Sequence, residues 1–202
     1  MNYRVFLLVA LCISGIGVSC ATSAPPLEAI DAYNHGIDLA VEGNFSAALG
    51  SIDAALSMDP NFTVAWITRA GILNAMGDYN QSLEASDRAL AIDENQAEAW
   101  TNRASALISL GRNEEALEAA DRAIELDPRL SEAWIDRSTA LSNLGRTEEA
   151  DEAVQMAMFL IGELENSPVP QTTTAKAPLH WLLVPLGTGA ALGFYSKKRY
   201  IP

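Results

Sequence analysis

The chain holds two cysteines, two histidines and, between residues 28 and 165, no lysine at all. Cys12 and Cys20 lie in or at the end of the first apolar segment. The rest of the chain therefore has no disulfide framework and no thiolate metal site. His35 and His180 sit in different segments, which argues against a histidine metal cluster and against a serine–histidine–acid catalytic set. There is no glycine-rich phosphate loop; Gly187-Thr188-Gly189 falls inside an apolar run. Carboxylates are abundant, but no pair stands out for acid–base work. No enzyme activity, cofactor or metal is expected.

The missing lysines leave the charge lopsided. All 26 acidic residues lie between Glu28 and Glu165, against eight arginines, so that stretch carries −18. Such a surface repels phosphate backbones, and nucleic acid is not an expected partner. An acidic surface can simply be well solvated, or its field can draw in a basic partner.

The two ends read as membrane signals. Arg4 is followed by an apolar run from Val5 to Val18 and then by Ser19, Cys20 and Ala21. A basic flank, a short apolar run and a small-residue site make a secretory signal peptide over residues 1–20. Gly17-Val18-Ser19-Cys20 resembles a bacterial lipobox, with Cys20 as the lipidation site, although Gly17 stands where that motif usually has Leu. Cleavage near Ser19-Cys20-Ala21, or an uncleaved anchor, are the alternatives. Residues 165–178, with three prolines and three consecutive threonines, read as an extended stalk. Leu179 to Tyr195 follow as a transmembrane helix, 17 mostly apolar residues that would rise about 26 Å. The basic tail 196–202, with Lys197, Lys198 and Arg199, belongs on the cytoplasmic side and places the preceding residues outside. Stalk, apolar segment and basic tail are similar to the C-terminal anchors of prokaryotic surface proteins. The expected location is the cell membrane, with residues 27–164 extracytoplasmic.

The middle of the chain repeats itself. Trp66, Trp100 and Trp134 are 34 residues apart, and so are Gly43, Gly77, Gly111 and Gly145, and Leu39, Leu73, Leu107 and Leu141. Each period holds two helical stretches around a glycine turn, since glycine readily takes the left-handed conformation that ends a helix. Small residues fill three positions of every period: Gly36, Ala70, Ala104, Ser138; Ala48, Ser82, Ala116, Ala150; and Ala55, Ala89, Ala123, Ala157. Small side chains let paired helices approach closely. Pro60 and Pro128 are expected to close the second helix of their periods, and the last helix is expected over Glu148 to Ile161. One hairpin cannot bury its apolar face, but a stack of four can. The expected fold is all-α.

This 34-residue pattern of Trp, small residue, Leu, Gly, Ala, Ala and Pro resembles the tetratricopeptide repeat. The resemblance implies a right-handed α-solenoid of four hairpins, near residues 29–62, 63–96, 97–130 and 131–164. It also implies protein or peptide binding on the concave face made by the first helix of each hairpin. On this register the face holds Ile30, Tyr33, Asn34 and Ile37; Val64, Ile67, Thr68 and Asn74; Glu98, Thr101, Asn102 and Ser105; and Glu132, Ile135, Asp136, Thr139 and Asn143. It is apolar at one end, acidic at the other, and has no Lys or Arg. The expected partner segment is therefore basic with apolar anchors. The basic clamp by which some relatives hold a C-terminal carboxylate is missing. A non-catalytic interaction module is the leading reading, and a structural subunit of an envelope complex is the alternative. Arg69, Arg103 and Arg137 also recur at 34 and are expected to pair with carboxylates of their own or an adjacent hairpin.

Overall fold

The computed structural model describes residues 24–166. The expected signal segment, the stalk beyond Asn166, the transmembrane helix and the basic tail lie outside the described residues. Among those described, eight helices form four consecutive pairs. They are α1 (Leu27–Val41) with α2 (Phe45–Met58), α3 (Thr63–Met76) with α4 (Tyr79–Ile92), α5 (Ala97–Ser109) with α6 (Asn113–Leu126), and α7 (Ser131–Asn143) with α8 (Thr147–Asn166). Each pair packs on the next through its second helix, α2 on α3, α4 on α5 and α6 on α7.

The turn inside each hairpin is one motif used four times. Gly43, Gly77, Gly111 and Gly145 have φ of 79°, 83°, 75° and 75°. The residue after each glycine donates its backbone N–H to a carbonyl in the last turn of the helix, as Asp78 to Leu73 and Arg112 to Leu107, both at 2.9 Å. That bond satisfies a carbonyl that the helix end would leave unpaired, and only a left-handed residue lets the chain make it.

The second helices end differently from the sequence expectation. Asp59, Asp93 and Asp127 are the extended residues that stop α2, α4 and α6. Each carboxylate accepts the backbone N–H two residues on, from Asn61 (2.9 Å), Asn95 (3.0 Å) and Arg129 (2.9 Å). This side-chain turn competes with helix and ends it. Proline adds to this stop after Asp59 and Asp127 but is not required for it, because α4 stops at the same register before Glu94. The fourth hairpin has Ile161 at the aspartate position, and α8 runs on to Asn166, past the expected Ile161 and through the first two residues of the expected stalk.

The small residues occupy the helix crossings. Ala48, Ala55, Ala70, Ala89, Ala104, Ala116 and Ala123 are wholly buried, as are Ile52, Ile72, Leu107 and Leu141. Trp66 and Trp100 lie half-buried across two clusters each, joining one hairpin to its neighbour. Each indole also donates to a backbone carbonyl six residues earlier: Trp66 to Pro60 at 2.9 Å, Trp100 to Glu94 at 2.9 Å, Trp134 to Pro128 at 3.0 Å. The ring thereby ties the start of its helix to the preceding loop. A buried or half-buried indole N–H needs such an acceptor.

Candidate functional site

Three arginines knit the hairpins together. Arg69 Nε meets Asp53 at 2.8 Å, Arg103 meets Asp87 at 3.0 Å, and Arg137 meets Asp121 at 2.7 Å. In each case the carboxylate belongs to the preceding hairpin. The same guanidinium sits 5.8–6.0 Å from the Trp ring three residues before it. These arginines are structural rungs, as their spacing suggested, and are not a ladder for anions. The aspartates keep about half their surface, so each pair contributes on the order of 0–1 kcal/mol. Asp53, Asp87 and Asp121 recur at 34 as well, which is the signal that identifies the partner.

The candidate face is carried by α1, α3, α5 and α7. Helix α5 packs directly on α3, and α7 on α5. Side chains stitch these first helices across the seams. Tyr33 and Thr68 share a hydrogen bond of 3.3 Å. Asn74 Nδ2 donates to the Asn102 carbonyl at 3.0 Å, and Asn102 Nδ2 returns the bond to the Ile67 carbonyl at 3.1 Å. Ser105 donates to Asp136 Oδ2 at 2.7 Å. Asn143 donates to Asn113 at 2.9 Å, reaching back to the third hairpin.

The seventeen sequence-proposed residues thus divide into two sets. Ile37, Thr68, Asn74 and Thr101 are buried. Thr101 and Thr139 spend their hydroxyls on carbonyls four residues back in their own helices, Ala97 and Ile135. Tyr33, Asn102, Ser105 and Asp136 are half-buried and engaged across the seams. What keeps surface for a ligand is Val64, which is exposed, and Ile30, Asn34, Ile67, Glu98, Glu132 and Ile135, which are half-buried, with Asn143 exposed at the edge. One polar atom in the seam is unmatched: Asn74 Oδ1 is buried and accepts no hydrogen bond. The reciprocal asparagine bonds left no signal in the sequence pattern.

Electrostatics sharpen the acidic end. Asp136 is held up to about 7, first because its carboxyl is desolvated in the seam and further because Glu132 lies nearby; the Ser105 hydroxyl pulls the other way. The residue as a whole keeps some exposed surface while its carboxyl is enclosed. At the apolar end, burial raises the Tyr33 phenol above its ordinary value, and the ring lies 5.1 Å from Phe62. Among the described residues, no group of His, Cys, Asp and Glu is arranged to hold a metal ion, and no helix is long and apolar enough to cross a membrane.

Paired helices, a left-handed glycine between them and a Trp–Arg–Asp rung at every junction among the described residues make a helical-repeat array. Two family models described as tetratricopeptide repeat match, one over residues 97–130 and one over residues 119–152. Solved structures agree on the fold. MamA 41-end from Desulfovibrio magneticus RS-1 superposes with a TM-score of 0.60 at 22% identity, over 69% of this chain and 78% of that one. A thermophilic tetratricopeptide protein of Thermus thermophilus gives 0.61 at 22% identity, over 65% and 74%. The first tetratricopeptide domain of human RPAP3 gives 0.57 at 21% identity, over 60% and 96%. Identities at this level speak to the fold alone. No curated protein matches the sequence.

Proposed function

We propose that the chain is a non-catalytic protein-interaction module that holds an extended or helical partner segment along the face of α1, α3, α5 and α7. The observation that carries this reading is the gradient on that face. Ile30, Val64 and Ile67 keep surface at one end, Glu98 and Glu132 with Ile135 at the other, and no Lys or Arg stands among them. Such a face favours a segment with apolar anchors followed by Lys or Arg. The terminal sequences support display on the outer side of a prokaryotic cell membrane, held by residues 179–195 or by a lipid on Cys20.

Titration of the full-length chain with peptides that combine leucine and lysine, against leucine–glutamate counterparts, tests the reading. Val64→Asn and Glu98→Gln with Glu132→Gln should each weaken the lysine peptide at least fivefold, and added salt should weaken it less in the glutamine variant than in the wild type. Equal binding of both peptide classes, or indifference to all three substitutions, would refute the assignment. Protease accessibility of the repeats on intact cells tests the location; repeats protected until lysis would contradict it.

A further inference from the structure

The two ends of the array differ in what they leave exposed. In the first three hairpins, Ile52, Ser86 and Ala120 are wholly buried; Ile52 clusters with Ala65 and Ile72 of the following first helix, and Ala120 with Ala140. The same register on α8 is Val154, which is 41% exposed, followed one turn on by Met158 at 68%. Ile161 continues this stripe at 39%, and Phe159 stands beside it at 60%. The face that a following helix covers elsewhere in the chain is thus open on α8, and it gains Ile161 where the first three hairpins have Asp59, Asp93 and Asp127.

The register also says what does not cover it. Leu49, Leu83 and Leu117 are replaced here by Asp151, and Asp53, Asp87 and Asp121 by Gln155. A further Trp–Arg helix would find no carboxylate at the register that holds Arg69, Arg103 and Arg137 elsewhere. The opposite end of the array is polar: Asp31 and Asp38 stand on α1 where later hairpins have Ala65, Ala99, Ala133 and Ile72, Ala106, Ala140. A second copy stacked head to tail would press those two carboxylates against Val154 and Met158, and taking carboxylates out of water onto an apolar face is strongly unfavourable. Tail-to-tail pairing would bring together two stripes that both begin at Glu148, Asp151 and Glu152.

We propose that the Val154–Met158–Ile161 stripe is a second docking surface, distinct from the face of the first helices, and that its occupant is an amphipathic helix of a separate protein. That helix lies as a first helix of a fifth hairpin would. It presents apolar residues at i, i+4 and i+7 spacing and places Lys or Arg opposite Glu148, Asp151 and Glu152. Methionine suits the role because its unbranched side chain repacks around partners of different shape.

A fluorescent peptide of leucine and lysine at amphipathic helical spacing, carrying one benzophenone, is titrated into the full-length chain bearing Val64→Asn, Glu98→Gln and Glu132→Gln, which silence the face of the first helices. A leucine–glutamate peptide of the same pattern is the control. The proposal expects binding of the lysine peptide, crosslinks on residues 154–161, and at least tenfold weaker binding for Met158→Gln with Ile161→Gln. Those substitutions are neutral and exposed, so circular dichroism should be unchanged and long-range attraction to the acidic domain is kept; Val154→Asn is the reserve variant. Crosslinks confined to α1, α3, α5 and α7 would overturn it, as would unaltered affinity of the glutamine variant. It is equally overturned by finding the stripe already occupied, shown by Met158-dependent dimerisation, Met158-dependent vesicle binding, or crosslinks from α8 to residues 179–195 of the same chain.

Discussion

A β-carbon on Gly36 would lie 2.8 Å from Ile52 Cδ1, 3.0 Å from Ile52 Cγ1 and 3.2 Å from the Ala48 carbonyl oxygen. The equivalent pairs in the next two hairpins are Ala70 with Ser86 and Ala104 with Ala120, so a β-carbon on the first helix goes with a smaller partner on the second. Ile52 is fully buried and packs in one cluster with Ile37, Leu56, Ala65 and Ile72. Gly36→Ala should therefore cost about 1–3 kcal/mol in overpacking, offset by about 1 kcal/mol of helix propensity. Ile52→Val removes Cδ1 and alone should cost about 0.5–1.5 kcal/mol. Combined, the new methyl enters the space that Cδ1 left. The double variant should match or exceed the wild type, with a favourable coupling of about 1–2 kcal/mol between the two sites. Urea unfolding of the four proteins, followed by tryptophan fluorescence and circular dichroism, measures the cycle. Additive effects, or a double variant less stable than both singles, would refute the packing argument.

Other outcomes follow from the same geometry. The Ser86 hydroxyl is buried without a hydrogen-bond partner, so Ser86→Ala should stabilise the chain by about 1 kcal/mol in urea melts; destabilisation would mean the hydroxyl is satisfied. With Asp136 held up to about 7 in the folded state, the unfolded chain loses that proton first, so stability falls as pH rises from about 4 to 7. Asp136→Asn should flatten that slope, leaving stability near pH 4 unchanged and raising it at pH 8 by about 1–2 kcal/mol, a figure reduced for the partial exposure of the residue. Parallel pH curves for the two proteins would contradict this. Gly111 has φ of 75° and open space around it, so Gly111→Ala should cost about 1–2 kcal/mol from backbone strain alone, whereas Gly111→Asn should cost less; equal urea midpoints for the two variants would argue against a strained turn.

Much of the fold was legible because the same physical problem is solved four times. Leu73, Leu107 and Leu141, the tryptophans and the turn glycines each recur at one spacing, and any role that one of them has is tested by the others. The helix ends were harder. Pro60 and Pro128 drew attention because proline breaks helices, but what all three stops share is Asp59, Asp93 or Asp127 making a bond from side chain to backbone that no hydrophobic pattern records. The same residue type, absent at Ile161, explains why α8 outran its expected end. The face of the first helices was legible only as a register. Thr68 and Asn74 share it with Val64 and Ile67, yet they are sealed in seams while the latter two face outward. Thr68 lies one turn beyond Val64 and Asn74 two turns beyond Ile67, so the difference is one of level along the same helix face, set by how closely neighbouring first helices pack there. That closeness depends on reciprocal bonds such as Asn102 to Ile67, which exist only between residues one repeat apart in space.

First helices lie side by side, one repeat apart, and each hairpin closes the one before it. Nuclear Overhauser contacts in the isotope-labelled full-length chain test this most directly. The structure requires contacts from the Tyr33 ring to Thr68 and Phe62, from the Asn102 side-chain amide to Ile67, and from Ser105 to Asp136. A spectrum rich in helical contacts but lacking these would show that the helices form and do not stack in this order.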